Sequence, residues 1–222
     1  MGFLVKIFIA KHGELKIVFA TLAILVSLPA IAVVTYASAG ISLISEALAA
    51  VNPITHLVEI FDPDGNKVYE LELSTVWPVH GVVTDEFGSH TAFRKERGYG
   101  PHTGIDIANP NGLVGDPVTT FAAGKVILAD TVDDSNCGLS VAIDHGHNIV
   151  SRYCHLLAVS TAEGVDVVPG DIIGLEGSTG ASTGPHLHFM IEVYGVPINP
   201  RTFMVGEPEL TPLSNSNIET PN

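Results

Sequence analysis

Basic residues are scarce in this chain of 222 residues: ten lysines and arginines stand against 24 aspartates and glutamates, a formal net charge of −14. The excess of acid lies after residue 40, because residues 1–40 contain three lysines and a single glutamate. No basic stripe is available to neutralise phosphates, so we expect no nucleic-acid partner. An acidic surface of this kind is typical of a well-solvated domain.

Motifs of two common enzyme classes are absent. The chain contains no HExxH sequence, which excludes the helix-borne zinc site in which a glutamate is the general base. The run GLEGSTGASTGPH lacks the Gly-Lys-Ser/Thr ending of a P-loop, so it is not a phosphate cradle. We expect its glycines to let the backbone turn sharply and approach an extended peptide, with Gly177, Gly180 and Thr183 as candidate substrate contacts. A plain loop is the alternative.

Cysteine occurs only twice, at Cys137 and Cys154. The two residues flank a predicted hairpin whose turn lies near residues 145–148. If Asp144 faces Ile149, Cys154 lies opposite Leu139, and local adjustment at the strand end brings it within reach of Cys137. We predict a disulfide between the two, because an oxidising compartment favours pairing; two free buried thiols are the alternative.

Charge is also missing from an apolar run of 21 residues at positions 17–37. A helix of this length spans the roughly 30 Å hydrocarbon layer of a bilayer. Three lysines precede it, so residues 1–16 are expected to stay in the cytoplasm and the rest to be exported. We predict a membrane anchor at residues 17–39. A secretory signal cleaved after Ala39 is the competing interpretation, and it exports the domain as well.

The remainder of the chain is expected to fold mainly as β-structure. Residues 40–76 are interpreted as a stalk and a β-hairpin next to the membrane, available to join the sheet of the following domain. Residues 77–206 contain short β-branched runs, such as PVTTF and KVILA, separated by glycine, proline and asparagine. This pattern is typical of an antiparallel sandwich or barrel. Residues 207–222 are polar and lack periodicity, which predicts a disordered tail.

Four histidines and an aspartate lie in three short segments: His102 and Asp106 in HTGID, His155 in RYCHL, and His186 and His188 in PHLH. Side chains alternate along a strand, so His186 and His188 point the same way, and an extended run also puts His102 and Asp106 on one face. Two neutral imidazoles, one carboxylate and an open position for water suit a catalytic zinc site with a net charge of about +1. Spacing alone leaves open which member of the last pair binds the metal.

The chain resembles the lysostaphin-type (LytM-like) zinc endopeptidases, which cut peptide bonds in bacterial cell walls. The resemblance covers about residues 77–203 and includes, in the family's order, WPVHGVVTDEFG, HTGIDIANPNG, VAIDHGHNIVSRYCHL and VVPGDIIGLEGSTGASTGPHLHF. It implies a mainly antiparallel β domain that acts on peptidoglycan peptides. It also implies one zinc ion held by His102, Asp106 and His188, with His155 and His186 as unligated catalytic histidines.

Two positions depart from the family pattern. Met190 stands directly after HLHF, where the family commonly has an acidic residue, and His90 stands where its FGxR segment often has arginine. Both departures concern substrate contacts and leave the metal ligands intact.

The proposed chemistry depends on zinc and histidine. We expect zinc to polarise the scissile carbonyl and the attacking water, while His155 or His186 takes the water proton and the same pair protonates the leaving amine. The division of labour between them stays open. A non-catalytic wall-binding or amidase-activating protein on the same fold is the alternative function; the complete ligand set favours the enzyme. The sequence does not fix the oligomeric state.

Overall fold

The computed structural model describes residues 40–209 of the chain. The predicted membrane anchor or signal at residues 17–39 lies outside the described residues, as does the chain beyond residue 209, which holds most of the predicted tail. Within residues 40–209, no helix has the length and apolar character needed to cross a bilayer.

Strands make up most of the regular structure between residues 40 and 209, which confirms the prediction of a mainly β fold. Residues 40–48 are helical, a short helix covers Ala92–Glu96, and a 3₁₀ turn covers Pro200–Phe203. The fourteen strands are β1 (Ala49–Val51), β2 (Val58–Phe61), β3 (Lys67–Leu71), β4 (Val82–Asp85), β5 (Ile105–Ala108), β6 (Pro117–Thr119), β7 (Gly124–Asp130), β8 (Leu139–Asp144), β9 (Ile149–Leu156), β10 (Ala158–Val159), β11 (Asp166–Val167), β12 (Ile172–Leu175), β13 (Leu187–Val193) and β14 (Val196–Ile198).

The strands form three antiparallel sheets. The largest has the order β11-β7-β8-β9-β13-β5-β4, and β14 pairs with the far end of β13. A second sheet has the order β10-β12-β6. The hairpin of β2 and β3 was expected to be able to join the large sheet. Instead it pairs with β1, and the three strands form a sheet of their own.

The central strand β13 shows how the large sheet separates a core from an open face. Its alternate residues Leu187, Phe189, Ile191 and Val193 are fully buried, whereas the residues between them are only partly buried. The buried face packs against aromatic rings; the ring of Phe189 lies 5.3 Å from that of Tyr153 and 5.7 Å from that of Phe121. Each such side chain contributes about 1.5–3 kcal/mol on burial. One face of the large sheet therefore packs on the hydrophobic core, and the opposite face is open to form a site.

One acidic side chain is buried at the end of β12, the central strand of the β10-β12-β6 sheet. Glu176 directly follows β12 and is completely buried, and among residues 40–209 neither of its carboxyl oxygens has a hydrogen-bond partner. Burial raises its pKa to about 7, and the nearby carboxylate of Asp116 adds to the rise. The backbone N–H of Asn109 lowers the pKa in part, although it does not form a regular hydrogen bond with the carboxyl group. A carboxyl without a partner in such a place is a cost to the folded state whenever it is ionised.

Candidate metal and catalytic site

Two strands of the large sheet and the loop before β5 bring the predicted metal ligands together. Asp106 lies in β5 and His188 lies directly opposite it in β13, in antiparallel register. His102 comes three residues before β5 and is fully buried, with its backbone N–H and C=O bonded to Ser89 and Gly88. The two strands therefore fix a carboxylate and an imidazole side by side, and the loop adds the second imidazole.

The ligand atoms of these residues form a small triangle. His102 Nε2 lies 2.9 Å from His188 Nδ1 and 3.1 Å from Asp106 Oδ1, and His188 Nδ1 lies 2.7 Å from Asp106 Oδ1. A tetrahedral zinc ion with bonds of about 2.0–2.2 Å spaces its ligand atoms about 3.3–3.6 Å apart. The three edges would have to widen by about 0.2–0.9 Å, most of all between His188 and Asp106, to fit the ion. Within residues 40–209, this is the one group of three or more such side chains close enough to share a metal.

Hydrogen bonds and burial set the protonation of these ligands. His102 Nδ1 lies 3.1 Å from the backbone carbonyl of Glu86, to which it donates, so Nε2 is left with a lone pair facing the triangle. Burial opposes ionisation of Asp106, but the close polar contacts with the imidazoles of His102 and His188 outweigh it and pull the pKa of the carboxyl well below its usual range. Burial also lowers the pKa of His188. A carboxylate and neutral imidazoles are the forms that bind a metal.

His155 is held at the end of β9 by three constraints. Its backbone φ is 66°, a left-handed conformation that is uncommon outside glycine, and its N–H donates to the carbonyl of Cys137 over 2.8 Å. Its imidazole Nδ1 lies 2.7 Å from the carbonyl of Thr179, so the N–H points there and Nε2 is free to accept a proton. Burial and the neighbouring histidines His186 and His188 lower its pKa to about 4. The ring is therefore neutral at physiological pH.

The predicted disulfide between Cys137 and Cys154 is confirmed, with the two Cα atoms 4.9 Å apart. The strand register on which the prediction rested is wrong. Asp144 pairs with Val150 instead of Ile149, and a bulge between Leu139 and Val141 shifts the pairing again, so Leu139 faces Leu156. The turn uses left-handed backbone at residues 147 and 148, which lengthens the loop, and the bulge then brings Cys137 to the cross-linking position.

His186 lies just before β13 and reaches the same site. Its Nδ1 lies 2.8 Å from the carbonyl of Gly184, and its Nε2 lies 3.7 Å from Asp106 Oδ2. The rings of His186 and His155 are 4.8 Å apart between centroids. The structure thus brings all five predicted residues together, three with atoms in the ligand triangle and two with imidazoles beside it.

A groove of about 1050 Å³ runs along the open face of the sheet through this site. Thr183 lines the groove, but Gly177 and Gly180 do not. Their lack of a side chain is required within the chain itself, because a Cβ at Gly177 would lie 2.3 Å from the backbone nitrogen of Leu157, and one at Gly180 would lie 2.5 Å from that of Gly138. Close packing of neighbouring loops explains both glycines.

Sequence reasoning missed a support for His102. The carbonyl that accepts its proton belongs to Glu86, whose carboxylate takes two hydrogen bonds from Arg201, at 2.9 Å from Nε and 2.8 Å from Nη2. Arg201 also binds Glu207 and lies over the ring of Trp77, 5.8 Å from its centroid. Sequence separation of 115 residues between the arginine and Glu86 left no local signal for this contact.

Comparison with known proteins gives the family of this domain. Residues 100–200 match the model of peptidase family M23. A DD-carboxypeptidase/endopeptidase (Mpg) of Neisseria meningitidis serogroup B is 43% identical over 110 residues, half of this chain and 24% of the relative. The peptidoglycan DD-endopeptidase ShyA of Vibrio cholerae is 41% identical over 99 residues, 45% of this chain and 22% of the relative. The chain thus spans about a quarter of the length of these relatives.

Solved structures give the same result. A zinc-containing peptidase from Vibrio cholerae superposes with a TM-score of 0.51 and 28% identity, over 68% of this chain and 47% of that one. Lysostaphin from Staphylococcus simulans superposes with a TM-score of 0.52 and 25% identity, over 65% of this chain and 60% of that one. These matches confirm the resemblance identified from the sequence. Residues 100–200 of the chain thus match peptidase family M23, and the fold is similar to that of lysostaphin.

Proposed function

We propose that this protein is a zinc-dependent endopeptidase that hydrolyses peptide bonds of peptidoglycan. The observation that carries the proposal is the triangle of His102 Nε2, Asp106 Oδ1 and His188 Nδ1, which lines a groove of about 1050 Å³. The names of relatives that share the domain, among them a peptidoglycan DD-endopeptidase, support the choice of substrate.

The three ligand atoms hold the zinc ion, and two further features of the chain prepare them for it. Hydrogen bonding keeps the lone pair of His102 Nε2 on the site, and Asp106 remains ionised because its pKa is far below the usual range. When bound, zinc supplies Lewis acidity toward the scissile carbonyl and the attacking water. With two neutral imidazoles and one carboxylate the site carries a charge of about +1.

His155 and His186 handle protons beside the metal site. Each donates its Nδ1–H to a backbone carbonyl, so each presents Nε2 as an acceptor. The low pKa of His155, about 4, keeps this imidazole unprotonated and able to take a proton from water. His155 then gives that proton to the leaving amine, so its ring returns to the neutral form, and the 4.8 Å between ring centroids places His186 beside the same tetrahedral centre.

Two substitutions separate metal binding from catalysis. We expect His188→Ala to lose bound zinc, because a ligand atom is removed, and His186→Ala to keep about one zinc per chain and lose most of its turnover. Zinc content is measured by elemental analysis of the purified variants, and turnover by release of soluble peptides from purified cell walls. The reverse pattern would overturn the assignment of the two histidines.

A chelator provides the test of the activity as a whole. We expect release of wall peptides by the unaltered protein to stop with chelator and to return with added zinc. If the walls stay intact while a partner amidase is stimulated, the protein is an activator and the proposal of an endopeptidase fails.

Localisation is part of the same proposal. Peptidoglycan lies outside the cytoplasmic membrane, and we propose that the apolar residues 17–39 export the domain, with retention as a membrane anchor. The confirmed pairing of Cys137 with Cys154 supports an oxidising compartment.

A further inference from the structure

The groove of this acidic domain contains two basic side chains, Arg94 and Arg152, among the residues that line it. Arg94 belongs to the short helix Ala92–Glu96, and its Nε donates to the carbonyl of Gly100 over 3.1 Å. Arg152 instead belongs to β9, within the sheet that carries the metal ligands. The position of Arg152 is therefore fixed relative to the site by strand pairing.

The register of β9 and β13 places Arg152 one step along the groove from the metal site. His188 pairs with Cys154, and Met190 pairs with Arg152. Residues two apart share a face, so Arg152 and Met190 lie on the open face together with His188. Diagonal neighbours in an antiparallel pair are about 7–8 Å apart, and an extended peptide advances about 3.3 Å per residue. The backbone of Arg152 thus lies about two residue steps of an extended peptide from that of His188.

The guanidinium of Arg152 has unused donors. Its Nε donates to Glu192 Oε1 over 3.0 Å, and in the described part of the chain Nη1 and Nη2 have no hydrogen-bond partner. Met190, its cross-strand neighbour on the same face, brings no counter-charge. The side chain of Arg152 is 38% exposed, whereas that of Glu192 is 16% exposed. Glu192 binds Arg152 through Nε, which leaves Nη1 and Nη2 available to a ligand in the groove.

We propose that Arg152 determines substrate specificity by binding a free carboxylate of the peptide, about two residues from the scissile bond. This inference rests on the proposed endopeptidase function of the same site. The two Nη groups form a planar fork that matches a carboxylate with two parallel hydrogen bonds. Asp85, Asp130 and Glu192 also line the groove, so a polyanion such as a phosphate-rich chain is repelled, while a single carboxylate can pair with the fork of Arg152.

The test uses cross-linked wall peptides in two matched forms, which differ only in one carboxyl near the scissile bond: free in one form and converted to a carboxamide in the other. We expect the unaltered protein to cleave the carboxylate form with a kcat/KM about tenfold higher, as for a partly exposed charged hydrogen bond. Arg152→Gln should abolish this preference through a rise in KM for the carboxylate form. Arg152→Lys should restore part of it, because the charge remains without the fork.

Two controls accompany these variants. Lys125→Gln removes the same charge from an exposed residue that pairs with Asp166, outside the groove, and should leave the preference at its original value. Zinc content and melting temperature establish that Arg152→Gln keeps the folded metal site.

Each remaining outcome decides the matter. Equal cleavage of both forms by the unaltered protein, or loss of the preference in Arg94→Gln but not in Arg152→Gln, would overturn the role of Arg152 and leave the endopeptidase standing. Absence of cleavage of either form, and of whole walls, would overturn the proposed function itself.

Discussion

Replacement of Glu176 by glutamine removes a charge from the interior while keeping the shape of the side chain. In the unfolded chain this carboxyl has a pKa of about 4.5, whereas burial raises its pKa to about 7 in the folded protein. Below the lower value both states are protonated and the residue costs nothing. As the pH rises from about 4.5 to about 7, the unfolded state releases the proton first and is favoured, so stability falls.

The size of this effect follows from the two pKa values. Their separation corresponds to about 3 kcal/mol of unfolding free energy once the pH is above about 7. Glu176 has no exposed surface but lies near the surface of the domain, so solvent screens part of this energy and the figure is an upper limit. We therefore expect Glu176→Gln to raise stability by up to about 3 kcal/mol at a pH near 8, which is about 6–12 °C in melting temperature for a protein of this size. Near pH 4.5 the gain should vanish.

The assay is thermal or denaturant unfolding of both proteins at a series of pH values, with zinc held constant. The decisive quantity is how the difference in unfolding free energy between the two proteins changes with pH. Any packing effect of the new amide is the same at every pH and drops out of that change. Glu163→Gln, the same substitution at an exposed position, serves as the control and should give a flat difference. A stability difference for Glu176→Gln that is equal at both ends of the pH range would refute the reasoning.

Two further predictions concern the supports of the site. Arg201→Lys keeps the charge but not the paired bonds to Glu86, so the carbonyl that orients His102 is less fixed; we expect zinc affinity to fall about tenfold, measured by competition with a chelating dye. Replacing Cys137 and Cys154 together by serine opens a loop with a sequence separation of 17 residues. That should cost about 3 kcal/mol, measured by denaturant unfolding, and unchanged stability would show that the bridge contributes nothing.

The parts of the site that depend on strand alternation could be predicted from the sequence. His186 and His188 both face the groove while Leu187 is buried, as the two-residue period of a strand requires. The choice of His188 over His186 as a ligand came from the family resemblance, since the period treats the two alike. In the structure His188 belongs to β13 and lies opposite Asp106, whereas His186 precedes the strand.

The parts that depend on backbone irregularity could not be predicted. The hairpin that carries Cys154 has left-handed residues in its turn and a bulge beyond it, and neither has a signature in side-chain pattern. Glu176 belongs to the glycine-rich run of the sequence, and its backbone bonds to Gly115 and Asp116 join it to a distant segment of the chain. The bulge and the burial of Glu176 depend on contacts between segments that are remote in the chain, and such contacts cannot be predicted from a single sequence.

The constraints on His155 separate chemistry from selectivity in this domain. A covalent cross-link at the preceding residue, an uncommon backbone conformation and a bond to the Thr179 carbonyl all fix one ring, so substitutions nearby disturb proton transfer before they alter which peptide fits. Farther along the same strand, Arg152 is held by strand pairing and by its bond to Glu192, without a covalent cross-link. New preferences can therefore evolve there while the reacting groups stay unchanged.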